Sequence, residues 1–212
     1  MFVKYLEEIA PRKKMVVYPG RFGPFHNGHL GAYDQLVKEF GKENVYILTK
    51  DYPSGQDPKN PFSFKEKKDM MVAAGIPAKN ILEMQGSAYK DVDVIKALES
   101  GGISTKGNSL IVAYSQADVG RLAIGGKTKK GEDRYYISTY QDLKDKSKLY
   151  PIEKHGYVYM LKTISGEAVE KISASDIRKA IKDNRLTDVK KMLPEGVYKY
   201  LVRKYIETVI TL

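Results

Sequence analysis

The 212-residue chain has no cysteine, no tryptophan and only three histidines. Without cysteine it can form neither disulfides, nor a thiolate nucleophile, nor a cysteine-based zinc site, whereas oxygen-liganded metals such as Mg²⁺ stay available. Long apolar runs are missing too, so no transmembrane helix is expected. The opening residues Met1-Phe2-Val3-Lys4-Tyr5-Leu6-Glu7-Glu8 carry acid where a secretory signal would be apolar, which points to a cytoplasmic protein. No internal repeat or low-complexity tract occurs. Negative charge is in short supply: 36 Lys and Arg face 26 Asp and Glu, a net +10. Such a field attracts phosphate-rich partners. Much of it reads as solvated helix faces in the C-terminal third, so specific nucleic-acid binding is not expected.

What is present suits a packed globular protein, with 42% hydrophobic and 29% charged residues. The length fits a single domain over 1–212: a core over 13–165, interrupted by a polar insertion near 124–150, and helices over 172–212. Lys13-Lys14-Met15-Val16-Val17-Tyr18 reads as a buried strand stopped by Pro19-Gly20. His29 to Phe40 follows at helical spacing, with Gly41 as its stop. Val45–Leu48, Ile81–Met84, Ser109–Tyr114 and Tyr157–Leu161 are the other strands, and Thr49 to Asn60 is a long polar loop. Helices are expected from a Ser63/Glu66 capping box to Ala74, over Val92–Leu98, over Ser175–Ile181, over Leu186–Met192 and from Glu195 to about Ile206. Strands alternate with helices, which predicts an α/β fold: a Rossmann-like, doubly wound parallel sheet of about five strands with C-terminal helices. Residues 124–150, rich in Gly and Lys, read as a mobile flap.

Gly20-Arg21-Phe22-Gly23-Pro24-Phe25-His26-Asn27-Gly28-His29 joins the first strand to its helix, at the strand end where such sheets bind ligands. A helix N-terminus offers unpaired backbone N–H donors, and Gly28 lacks a side chain that would hold a phosphate away. His26 and His29, three residues apart, can both face one bound phosphate. Phosphoryl-type transfer needs positioning and charge neutralisation more than covalent help, so these histidines are candidates for catalysis without being nucleophiles. Ordinary hydrogen bonding at a helix cap is the plainer alternative for the pair. Gly20, Arg21, Phe22 and Gly28 are candidates for nucleotide contact.

This stretch resembles the His-x-Gly-His signature of the nucleotidylyltransferase superfamily, and Gly-Arg-Phe-x-Pro-Phe-His-x-Gly-His is similar to its nicotinamide or nicotinate mononucleotide adenylyltransferases. Gly23 stands where that subfamily has glutamine. Ile172-Ser173-Ala174-Ser175-Asp176-Ile177-Arg178 resembles the superfamily's second signature, with Ser175 as a good N-cap. The resemblance implies that Ser173, Ser175 and Arg178 hold the β- and γ-phosphates, hydroxyls and a planar guanidinium being suited to the leaving group. It further implies ATP with Mg²⁺ and a phosphorylated small-molecule acceptor, the product being a dinucleotide plus pyrophosphate. A cytidylyltransferase, a phosphopantetheine-type adenylyltransferase and a non-catalytic RNA-binding protein on this fold are the rivals, and a homo-oligomer is compatible with any of them. Asp118, just after the fourth strand, is either a site residue or a routine helix cap; Gly86 to Tyr150 is expected to shape the acceptor pocket. His155 reads as a surface or turn residue, and none of the sixteen tyrosines can be singled out as a stacking platform.

Overall fold

The computed structural model describes residues 12–52, 57, 59–162 and 172–206. Residues 53–56 and 58 of the Thr49–Asn60 loop, the Met1–Glu8 segment and the 163–165 end of the expected core lie outside the described residues. The chain runs β1 (Lys14–Pro19), α1 (Asn27–Phe40), β2 (Val45–Thr49), α2 (Phe64–Ala73), β3 (Ile81–Glu83), α3 (Asp91–Ser100), β4 (Ser109–Ser115), α4 (Gln116–Val119), β5 (Tyr136–Thr139), β6 (Gly156–Leu161), α5 (Ala174–Lys182), α6 (Leu186–Met192) and α7 (Glu195–Leu201). The helix expected to continue to about Ile206 does so, changing from α to a π-helix over Val202–Ile206.

All strands pair in parallel, in the order β3-β2-β1-β4-β6-β5. Every residue of β2, and all but the last of β4, is buried, which explains why these strands read as unbroken apolar runs and not as alternating ones. Successive side chains feed opposite faces. Val16, Tyr18, Ile47, Ile111 and Tyr159 pack with α1, α2 and the C-terminal helices, through residues such as Leu36, Met70, Ile177 and Val197. Met15, Val17, Leu48, Val112 and Val158 pack with α3 through Val94, Ala97 and Leu98 on the other face. Helices thus cover both sides of the sheet.

Among the described residues the sheet has six strands where about five were expected, and the additional one lies in the segment expected to be a flap. Within 124–150, β5 pairs with β6 across a bulge, with Ser138 opposite Tyr157 and Thr139 opposite Val158. Tyr136 is buried in the α3-side core, while Tyr140 and Leu149 enter the core on the other face. The strand was illegible because its apolar residues stand singly among polar ones, with no period to read. Pairing along the edge of β6 supplies the order that local sequence does not.

Candidate active site

The order of the sheet reverses around β1, so a crevice opens beyond the C-terminal ends of β1 and β4. The loop leaving β1 is anchored there by Gly20 N–H donating to Leu48 O at 3.0 Å and by the Thr49 hydroxyl against Arg21 O at 3.4 Å. Phe22, at a left-handed φ of 48°, folds its ring back over Gly20; a Cβ on Gly20 would lie 2.6 Å from that ring. The ring meets Tyr18 edge-on at 5.2 Å and His29 at 4.9 Å, and Phe25 lies 5.5 Å from His29. Phe22 therefore backs His29 as well as lining the cleft.

His26 is the N-cap of α1, and its imidazole Nδ1 accepts from His29 N–H at 3.4 Å. His29 reciprocates, its Nδ1 accepting from His26 N–H at 3.4 Å. The rings stack with centroids 3.6 Å apart. Burial pushes His26 down to about 4, and burial together with the neighbouring His26 holds His29 well below the ordinary value. Both rings are neutral at pH 7, and since each Nδ1 is an acceptor, each proton sits on Nε2. The capping alternative and the catalytic one are thus compatible: capping uses Nδ1 and leaves an Nε2–H donor on each ring. Gly28 does not line the cleft. A Cβ there would press on the His26 ring at 3.1 Å, so the glycine makes room for that imidazole.

From the opposite side α5 presents its N-terminus. The N-cap is Ser173, whose hydroxyl oxygen accepts from Asp176 N–H at 3.1 Å, and not Ser175 as the sequence suggested. Ser175 lies inside the first turn and its hydroxyl oxygen accepts from Arg178 Nη2 at 3.1 Å; Arg178 Nη1 reaches across to Gly23 O at 2.5 Å. Partial burial and then the nearby Arg21 lower the Arg178 pKa, with Asp57 opposing. Two guanidiniums close enough to repel at the mouths of two helix N-termini form a site that an anion relieves.

These groups share one cleft of about 640 Å³, lined by Gly20, Arg21, Phe22, His26, His29, Asp118, Ser173, Ser175 and Arg178 among others. Of the residues proposed from sequence, Gly28 is the one left out. A second lobe of about 470 Å³ shares Arg21, Tyr114 and Asp118 with the first and adds Lys50, Tyr52, Tyr89 and Arg121. Asp118 is no N-cap: Ser115 caps α4, and Asp118, inside the helix, receives the Ser115 hydroxyl at 2.8 Å and the Tyr89 hydroxyl at 2.9 Å. Lys50, Lys59 and Tyr89 were not foreseen. Lys50 and Lys59 belong to the long polar loop, whose length was their one signal, and Tyr89 is singled out only by its place on the lobe. His155 sits in a turn away from the cleft, its ring edge-on to Tyr150 at 5.1 Å.

A family model described as cytidylyltransferase-like matches residues 17–180, from β1 into α5, and so spans both signature segments. The chain belongs to the cytidylyltransferase-like family. No curated protein matches it by sequence. Among solved structures, nicotinic acid mononucleotide adenylyltransferase of Plasmodium falciparum, complexed with APC, aligns at a TM-score of 0.55 and 15% identity, over 90% of this chain and 95% of that one. A bifunctional NMN adenylyltransferase/ADP ribose pyrophosphatase of Francisella tularensis aligns at 0.51 and 16%, over 92% of this chain and 52% of that one. TmcAL of Thermotoga maritima, bound with alpha-thio ATP, aligns at 0.56 and 12%, over 92% and 56%. At such identities the likeness is one of fold. It places this cytidylyltransferase-like chain among nucleotidylyltransferase folds, and no helix among the described residues is long and apolar enough to cross a membrane.

Proposed function

We propose that the protein transfers AMP from ATP to nicotinamide or nicotinic acid mononucleotide, releasing pyrophosphate. The observation that carries this reading is the facing arrangement of two neutral Nε2–H donors at one helix start and a Ser-Ser-Arg cluster at another, in a single cleft. An acceptor phosphate oxygen attacks the α-phosphorus and the α–β bridging oxygen leaves with pyrophosphate. His26 and His29 donate to the non-bridging α-phosphate oxygens, where charge gathers during transfer. Ser173, Ser175, the α5 N-terminus and Arg178 hold the β- and γ-phosphates and take up the leaving charge.

Among the described residues no group of three or more His, Asp or Glu side chains converges to hold a metal ion. Asp118 is the one carboxylate lining both lobes. That sparse donor set fits Mg²⁺, which keeps waters and binds through substrate phosphates and few carboxylates; bound there it would neutralise phosphate charge. The second lobe, with its tyrosines and cations, lies next to the α-phosphate position and is the place for the acceptor.

The test is a matrix of ATP and CTP against both mononucleotides, phosphopantetheine and a phosphorylated alcohol, with pyrophosphate release followed and products identified by mass spectrometry. ATP with a mononucleotide should yield a dinucleotide, the other pairs far less. Turnover of CTP with the phosphorylated alcohol, and none of ATP with either mononucleotide, would move the protein to the cytidylyl branch.

A further inference from the structure

The walls of the second lobe do not balance its positive charge. Arg21, Lys50 and Arg121 line it against one carboxylate, Asp118. That carboxylate is already engaged: Oδ2 accepts from the Ser115 hydroxyl at 2.8 Å, and Oδ1 accepts from the Tyr89 hydroxyl at 2.9 Å and meets Arg121 Nη1 at 3.1 Å. Arg121 Nη1 also donates to the Tyr89 hydroxyl at 2.9 Å. Both contacts thus fall on one nitrogen, and they fix the plane of the guanidinium. Its other edge, Nε with Nη2, makes no hydrogen bond among the described residues, and neither does the Lys50 ammonium. Tyr89, held by Asp118 and Arg121, lays its ring parallel to Tyr114 at 5.6 Å and so braces the wall that carries Arg121.

Arg21 is the cation common to both lobes, beside the histidines, so an acceptor phosphate in line with the α-phosphorus belongs there. Arg121 lines only the second lobe, so it faces the part of the acceptor remote from the phosphate. A carboxamide placed there would cover a cation without giving it a counter-charge. A carboxylate would meet the Nε–Nη2 edge with two parallel charge-assisted bonds, the geometry for which arginine is better suited than lysine. We infer that the acceptor lobe selects a mononucleotide with a second anionic group on its base, nicotinic acid mononucleotide over its amide, with Arg121 as the residue that sets the preference. This rests on the reading of the protein as a pyridine mononucleotide adenylyltransferase.

The experiment compares kcat/KM for the acid and the amide, with ATP and Mg²⁺, in the wild-type chain and in Arg121→Gln and Arg121→Lys, alongside calorimetric titration of both mononucleotides into each protein. The wild type should favour the acid by about tenfold or more, as expected where the wrong ligand leaves a polar group unpaired. Arg121→Gln should lower kcat/KM for the acid about tenfold more than for the amide, and Arg121→Lys should fall between. Equal use of the two, or equal losses in Arg121→Gln, overturns the inference and leaves the adenylyltransferase reading standing. If neither is turned over, that reading fails, and titration decides the charge preference: tighter binding of the acid, lost in Arg121→Gln, upholds it, while equal or absent binding removes it.

Discussion

At the scale of residues, the proposed reaction gives His26 two duties that pull in different directions. As N-cap it needs an acceptor on Nδ1, and as a phosphate contact it needs a donor on Nε2; a neutral ring with its proton on Nε2 provides both. Burial enforces neutrality. Because the folded value, about 4, lies below the unfolded value near 6.5, the native state takes up this proton less readily. The stability contributed is therefore complete above pH 6.5 and is lost as the pH falls through about 4, amounting to roughly 3 kcal/mol from this ring. His29 acts in the same direction. Asparagine caps helices as well as any residue but carries no Nε2–H. His26→Asn should unfold near the wild-type denaturant concentration at pH 7.5, show a shallower loss of stability between pH 6.5 and 4, and turn over roughly 10² to 10³ times more slowly. Denaturant titrations at pH 7.5, 6.5 and 4 with a turnover assay check all three; undiminished turnover would remove His26 from the reaction.

At the scale of elements, two helices aim their N-termini at one cleft from different parts of the chain, α1 from the β1 end and α5 from near the C-terminus. The cap of α5 decides which serine is structural. Ser173→Ala should cost about 1 kcal/mol by removing the acceptor for Asp176 N–H. Ser175→Ala should change stability by no more than about 0.5 kcal/mol, since it loses only the exposed contact to Arg178. Both should raise KM for the triphosphate. Thermal unfolding of the two variants separates them, and a larger loss in Ser175→Ala would reverse the assignment. Helix α2 shows a comparable double use: Glu66 closes the Ser63 capping box at 2.7 Å and pairs with Lys204 at 2.8 Å, tying the C-terminal turn to the start of α2.

At the scale of the whole molecule, the net charge of +10 is a general field, distinct from the cleft whose geometry is specific. Such a field binds nucleic acid through counterion release, without reading sequence. Binding to duplex or single strands should be weak and fall steeply between roughly 50 and 200 mM salt. Fluorescence anisotropy with labelled oligonucleotides measures this, and nanomolar, sequence-selective binding that survives the higher salt would favour the RNA-binding alternative. For the proposed two-substrate reaction the two lobes offer partly separate linings, joined at Arg21, Tyr114 and Asp118, because the crevice at the reversal of strand order is bordered by loops from several strands.

Local signals in the chain sufficed for much of this. Unbroken apolar runs such as Val45–Leu48 and Ser109–Tyr114 identify strands buried on both faces, the Ser63/Glu66 pair starts α2, and Gly20–His29 and Ile172–Arg178 name the two walls of the cleft, because each of these depends on neighbours within a few residues. Other features depend on distant partners. β5 exists because β6 offers its edge; Gly28 is small because of the His26 ring; Ser173 rather than Ser175 caps α5 because both hydroxyls had suitable spacing and only the backbone path chose between them. Tyr89 shared no signal in sequence with Asp118 and Arg121, which stand 29 and 32 residues further along the chain. Spacing along the chain carries local geometry, whereas the charge left unbalanced in a cavity is a property of side chains brought together from separate loops, which only the folded molecule assembles.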